Sequence, residues 1–330
     1  MTEHQFGGPW TEEKLARLRK YLQAYMTIFS RNRRAAYFNA IYVDAFAGTG
    51  FRLVTASASE EADSLFDVSV DSDADSLRKG SAYVALDTTP PFAKYVFIEH
   101  NNEHVRELER LRTLFPGVAD RIALVAEDAN SYLSRWCRET NWQKNRAVVF
   151  LDPYGMQVEW STISAMAVTQ AIDLWILFPL GVGVNRLLLK DRPPEGPWAD
   201  RLTTLFGTDE WHQAFYRPSG QQSLFGGPPE TVKDADFESI SKFWVQRLQT
   251  VFPQVAPKPL PLVELSKRTH LPPELCCIES KGCQDSSQDC TRDLVEVTYA
   301  SKDYHRMDRC HLEPHYGMFQ NQHRLQTLLC

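Results

Sequence analysis

Four short segments in the first 180 residues constrain the fold more than anything else in the chain. They are Tyr42-Val43-Asp44-Ala45-Phe46-Ala47-Gly48-Thr49-Gly50, Val96-Phe97-Ile98-Glu99-His100, Val125-Ala126-Glu127-Asp128-Ala129 and Val148-Val149-Phe150-Leu151-Asp152-Pro153-Tyr154-Gly155. Each is an apolar run that stops at a carboxylate, a glycine turn, or both. Strands buried on both faces of a parallel sheet read as continuous apolar runs, and ligands collect at the carboxyl ends of such strands. The four segments together therefore set Asp44, Glu99, Asp128 and Asp152 along one edge of one sheet.

The stretches between them complete the pattern. Leu15, Leu18, Leu22, Tyr25, Met26 and Phe29 recur at helical spacing behind Thr11, which reads as a helix N-cap. Helices are expected over 103–114, 130–140 and 160–171, and strands over 38–43, 95–98, 122–126, 147–151 and 172–178. This alternation predicts an α/β fold, a doubly wound Rossmann-like sheet with a C-terminal helical elaboration. The expected organisation is an N-terminal helix over 1–35, a core over 36–180, a helical elaboration over 181–262 and an atypical tail over 263–330. Within the core, 53–78 is an insertion rich in Ser and Asp. Its stretch 57–76 holds seven acids and no base, which reads as solvated surface. Within the elaboration, 181–190 reads as a short helix, 198–215 and 237–252 as amphipathic helices, and 220–229 as a polar linker.

Net charge is −6, so no overall basic field draws the chain to nucleic acid, although a local basic surface stays open. No run approaches the length of a membrane-spanning helix and Met1-Thr2-Glu3-His4-Gln5 is not a signal peptide, so the expected location is cytoplasmic. Of the seven cysteines, only Cys137 precedes Leu275; the others are Cys276, Cys277, Cys283, Cys290, Cys310 and Cys330. The spacing of Cys276, Cys277, Cys283 and Cys290 matches no usual zinc pattern, and no metal site is assigned.

The chemistry is read from the strand ends. In Asp44-x-Phe46-x-Gly48-x-Gly50 the glycines let backbone pass close to a ligand. The acid at position 44 suits the positive sulfonium and ammonium of S-adenosylmethionine better than a pyrophosphate. Glu99 is placed to accept ribose hydroxyls, and Asp128 the exocyclic amine of adenine. Asp152, Pro153 and Tyr154 form an acid-proline-aromatic turn resembling the loop with which amino methyltransferases hold a planar amine, though without that loop's second proline.

These segments, with Gly8-Pro9-Trp10-Thr11-Glu12-Glu13-Lys14-Leu15 and the stretch 174–183, resemble the three-Cys-motif partner (TcmP) family over roughly 10–252. The resemblance implies a fold like that of class I S-adenosylmethionine-dependent methyltransferases. It also implies a partner carrying a three-cysteine, iron–sulfur-type motif, and it supplies no acceptor. Two functions stay open: a methyltransferase acting on an amine or nucleic-acid base, and a non-catalytic interaction module that regulates the cysteine-motif partner. The oligomeric state is left open.

The family resemblance leads one to expect an apolar, alanine-rich ending with an Asn-Pro turn. From about Ser266 the chain instead has scattered Cys, His, Arg and Gln, with Leu294–Tyr299 as its strand-like run. The expectation is that this tail is a shifted reading frame and poorly ordered.

Overall fold

In the computed structural model, residues 9–53, 77–219, 231–256, 260–261 and 274–278 are described. The first helix, α1, spans Pro9–Arg31. Its six apolar positions read from the sequence are all buried, with Tyr21 added to them. Thr11 is not the cap expected of it. It lies inside the first turn of the helix, and its buried hydroxyl has no hydrogen-bond partner among the described residues. Strand β1 (Asn39–Asp44) follows, then a two-stranded ribbon of β2 (Phe51–Leu53) and β3 (Leu77–Lys79).

The ribbon explains how the core tolerates an insertion. Gly80 N donates to Gly50 O at 3.1 Å, closing the excursion where it began. A Cβ at Gly80 would lie 2.7 Å from that oxygen, so only glycine fits at this neck. Helix α2 (Ser81–Leu86) then starts at once, as if it followed the Gly50 turn directly. The acidic stretch 57–76 lies outside the described residues.

The chain continues through β4 (Lys94–Ile98), α3 (Asn102–Leu108), α4 (Arg110–Leu114), β5 (Ile122–Val125), α5 (Ala129–Glu139), β6 (Asn145–Leu151), α6 (Trp160–Val168) and β7 (Ile172–Phe178). A π-helical turn covers Leu180–Asn185. After it come α7 (Pro197–Phe206), α8 (Trp211–Phe215), a ribbon of β8 (Tyr216–Pro218) and β9 (Thr231–Lys233), α9 (Phe237–Gln249), β10 (Leu260–Pro261) and β11 (Glu274–Ile278).

Two helices expected to be single are each divided. The first breaks at Glu109. The second ends at Gly207, whose φ of +67° is the left-handed cap that glycine adopts readily. Trp160 fills the space beside it, with a Cβ at Gly207 falling 2.0 Å from the indole Cδ1.

The main sheet runs β10-β11-β7-β6-β1-β4-β5. Five successive strands, β7-β6-β1-β4-β5, are parallel, with β1 at their centre pairing Val43 with Val149 and Val96. The sixth position of a dinucleotide-binding sheet would hold another parallel strand. Here β11 runs antiparallel to β7, pairing Glu274 with Phe178 and Ile278 with Leu174. A strand thus falls inside the tail, ahead of the run at 294–299 expected to hold it. That run, with Cys283, Cys290, Cys310 and Cys330, lies outside the described residues.

Strand periodicity sends alternate residues to two separate cores. Tyr42, Phe97, Phe150 and Trp175 join the α1 and α2 side. Val43, Val149, Ile176 and Phe178 join the side built from α5, α6, α7 and α9. On that second side Trp244 stacks on Phe178 with ring centroids 4.6 Å apart and planes within 10°. With helices on both faces, the fold is doubly wound α/β. Among the described residues no helix is long and apolar enough to cross a membrane.

Candidate functional site

The turn after β1 is suspended between its two neighbouring strands. Ala45 N donates to Phe150 O and Ala47 N to Ile98 O, both at 3.1 Å. The chain then turns through Gly48 (φ +57°) and Gly50 (φ +74°). These two glycines do different work. A Cβ on Gly50 would stand 3.0 Å from Leu108 Cδ2 and 3.3 Å from Leu111 Cδ1, so Gly50 serves helix packing. A Cβ on Gly48 would meet nothing within 4 Å, so that residue faces open space. Phe46, between them and Asp44, is half-buried and packs against the core.

Asp44 is completely buried. Its Oδ2 is 3.5 Å from the Tyr42 hydroxyl, a long contact, and its Oδ1 has no hydrogen-bond partner among the described residues. Burial pushes its carboxyl up to about 7, hydrogen bonding from Ser81 works against this, and the charge of Asp152 adds to it. The Phe46 backbone and the charge of Lys14 lower it further. An orphan carboxylate oxygen in a desolvated place is costly unless something cationic or hydrogen-bonding meets it.

Glu99 turns inward. Its Oε2 accepts from Gly48 N at 3.0 Å and its Oε1 from Asn101 N at 2.8 Å. The second strand end therefore braces the glycine turn of the first. Each carboxylate oxygen keeps a further lone pair for a hydroxyl. Asp128 is exposed and caps α5, its Oδ1 accepting from Ser131 N at 2.9 Å. The cap uses one of its two oxygens.

Asp152, half-buried, takes a hydrogen bond from the ammonium of Lys14. Pro153 follows, then Tyr154, whose side chain is 69% exposed, and Gly155 at φ +77°. The loop is shaped from α5. Asn130 Nδ2 donates to Gln157 O at 2.8 Å, Asn130 Oδ1 accepts from Glu159 N and the Thr162 hydroxyl, and Gln157 Oε1 accepts from Tyr154 N.

The structure brings Asp44, Gly48, Glu99 and Asp152 to one edge. Four contributors escaped sequence reading: Lys14, Ser81, Asn130 and Gln157. Lys14 had a signal. It sits four residues before Leu18 and three after Thr11, on the apolar stripe of α1, and only 4% of it is exposed. A lysine on a buried stripe needs a partner. The other three are ordinary polar residues whose partners are set by tertiary structure.

No protein-family model matches the chain, and no curated protein matches it. Solved structures offer distant likenesses. A protein from Legionella pneumophila is 11% identical, covers 75% of this chain and 94% of its own, and has a TM-score of 0.38. A candidate S-adenosylmethionine-dependent methyltransferase from Listeria monocytogenes is 12% identical, covering 80% and 96%, with a TM-score of 0.34. A candidate methyltransferase from Escherichia coli is 14% identical, covering 64% and 86%, with a TM-score of 0.27. Likenesses this distant carry no weight in assigning chemistry.

Proposed function

We propose that this chain binds S-adenosylmethionine at the carboxyl edge of its sheet and is a methyltransferase-like protein. The acceptor is an amine or a nucleic-acid base. One observation carries the reading: a fully buried aspartate, Asp44, with an unpartnered Oδ1, at the end of the central strand beside a glycine open to solvent-side space. A buried carboxylate repels a pyrophosphate and attracts an ammonium or sulfonium, which argues against a dinucleotide.

Asp44, Phe46 and Gly48 would form the bed for the methionine portion, while Gly50, expected from the sequence to share it, turns the chain and packs against Leu108 and Leu111 instead. Glu99 would accept the ribose hydroxyls while bracing Gly48, and Asp128 would meet the adenine amine. When bound, S-adenosylmethionine supplies a methyl group activated on a sulfonium. Asp152 and the carbonyl of Pro153 would accept protons of a planar amine, with Tyr154 as the stacking ring. The contribution of these groups is alignment and exclusion of water rather than covalent chemistry.

Calorimetric titration with S-adenosylmethionine and S-adenosylhomocysteine tests the reading. Saturable binding is expected for the parent, and Gly48→Val, which fills the open space beside the turn, is expected to abolish it. No binding by the parent, or equal binding by the variant, sinks the site.

A second reading is favoured by one contact. Asp152 already holds an amine, that of Lys14. In this reading the chain is a non-catalytic module that regulates a three-cysteine, iron–sulfur-type partner. A methyl-transfer assay with and without that partner separates the two. Turnover in either condition excludes the module.

A further inference from the structure

Among the described residues, Lys14 is the lysine that pairs with an acid of the site. It comes from α1, and its partner Asp152 lies 138 residues further along the chain. Lys14 is buried, Asp44 is buried, and Asp152 is half-buried between sheet and loop. The charges of Lys14 and Asp152 both act on Asp44, with opposite signs. The three residues thus form one cluster of two carboxylates and one ammonium. Above about pH 7, where Asp44 is ionised, these three groups carry one negative charge between them, at the end of the strand that leads into the Gly48 turn.

We propose that Lys14 is a positioning residue that sets the charge selectivity of this site, cancelling Asp152 so that a single negative charge, on Asp44, meets the ligand. This rests on the S-adenosylmethionine reading. The methyl donor and its product differ chiefly in charge at sulfur: the donor is a sulfonium, the product a neutral thioether. A site with one net negative charge favours the donor modestly and lets the product leave. Without Lys14 two negative charges would face the sulfur, and the preference for the donor would grow. A lysine that merely pins α1 to the loop predicts something else. Its loss would weaken both ligands together and leave their ratio alone.

The test is the ratio of the two affinities, measured by calorimetry on the full chain. Titrations run at about pH 9, well above the pH near which Asp44 takes up its proton, because loss of the Lys14 charge raises that carboxyl further. Lys14→Gln is expected to raise the preference for S-adenosylmethionine over S-adenosylhomocysteine by about tenfold, the scale of one unit charge several ångström away in a half-screened site. Asp152→Asn keeps an oxygen for Lys14 to bond and is expected to lower the preference by about the same factor. Lys14→Arg keeps the charge and is expected to stay near the parent ratio. If Lys14→Gln fails to fold by circular dichroism, the Asp152→Asn ratio decides. Ratios that stay within about twofold of the parent in the folded variants overturn the role of Lys14 alone. Failure of the parent to bind either ligand overturns the cofactor reading beneath it.

Discussion

Replacing Asp44 by Asn should stabilise the ligand-free protein by an amount that grows as pH rises from about 4 to about 7. The folded-state carboxyl is raised from 3.8 to about 7, mainly by burial. In the unfolded chain the group releases its proton near 4. Between those values the folded state holds a proton that the unfolded state has lost, so stability falls as pH rises. The contribution is whole below about pH 4, declines through the window up to about 7, and is flat beyond it. A shift of about three units corresponds to about 4 kcal/mol at full extent. Asn cannot ionise and escapes that decline. At roughly 2–4 °C per kcal/mol for a domain of this scale, the variant's midpoint should exceed the parent's by several degrees.

The assay is paired thermal or urea unfolding of parent and Asp44→Asn at about pH 5 and about pH 8. Other titrations occur in both proteins and cancel in the difference. Around Asp44 the groups to consider are Tyr42, Ser81, Lys14 and Asp152, and none of them is altered. The expected difference is the smaller at the lower pH and favours Asn more strongly at the higher. A difference that does not change with pH, or an Asn variant less stable at about pH 8, would refute the assignment of a desolvated carboxylate.

Other perturbations follow from the same geometry. Gly50→Ala forces a side chain into left-handed backbone against Leu108 and should cost about 1–2 kcal/mol or more in chemical denaturation. Trp244→Ala, which empties the stack on Phe178, should cost about 3–5 kcal/mol by the same measure. Asp128→Ala removes the α5 cap and should cost about 1 kcal/mol, with a separate loss of adenosyl affinity if its second oxygen meets the base. A chain cut after Pro261 loses β11 and bares the edge of β7, so its melting midpoint should fall below that of a chain cut after Ile278.

The five parallel strands were legible because each appears as an apolar run, four of them buried on both faces and the edge strand β5 only partly. Their order was not written in any one segment, but the acids at their ends were, and Asp44, Glu99 and Asp152 do meet along one edge. The β11 strand was not legible. Glu-Leu-Cys-Cys-Ile carries neither alternation nor a β-branched run apart from its last residue, and its partner β7 lies about a hundred residues earlier. The helix breaks at Glu109 and Gly207 were hidden for a related reason. Apolar spacing continues across both, and at Gly207 the stop is made by left-handed backbone and by Trp160 from another helix.

Lys14 shows where sequence reading stopped short of the site. The motif ending in Asp152 suggested a carboxylate waiting for an amine, and that amine was already present in α1. Lys14 is not among the apolar positions of α1, although its burial follows from its spacing to Leu18. Once Lys14 is included, the chemistry and the energetics of the edge share one source. Asp44 weakens the ligand-free fold above neutral pH because its charge is desolvated, Asp152 makes that charge harder to form, and Lys14 relieves part of the strain. A cationic ligand beside Gly48 would relieve the rest. The stability that Asp44→Asn restores to the empty protein should therefore be matched by affinity for a cation that it removes. Ligand that raises the parent's melting midpoint at about pH 8 but leaves that of Asp44→Asn unmoved would tie the two effects to the same carboxylate.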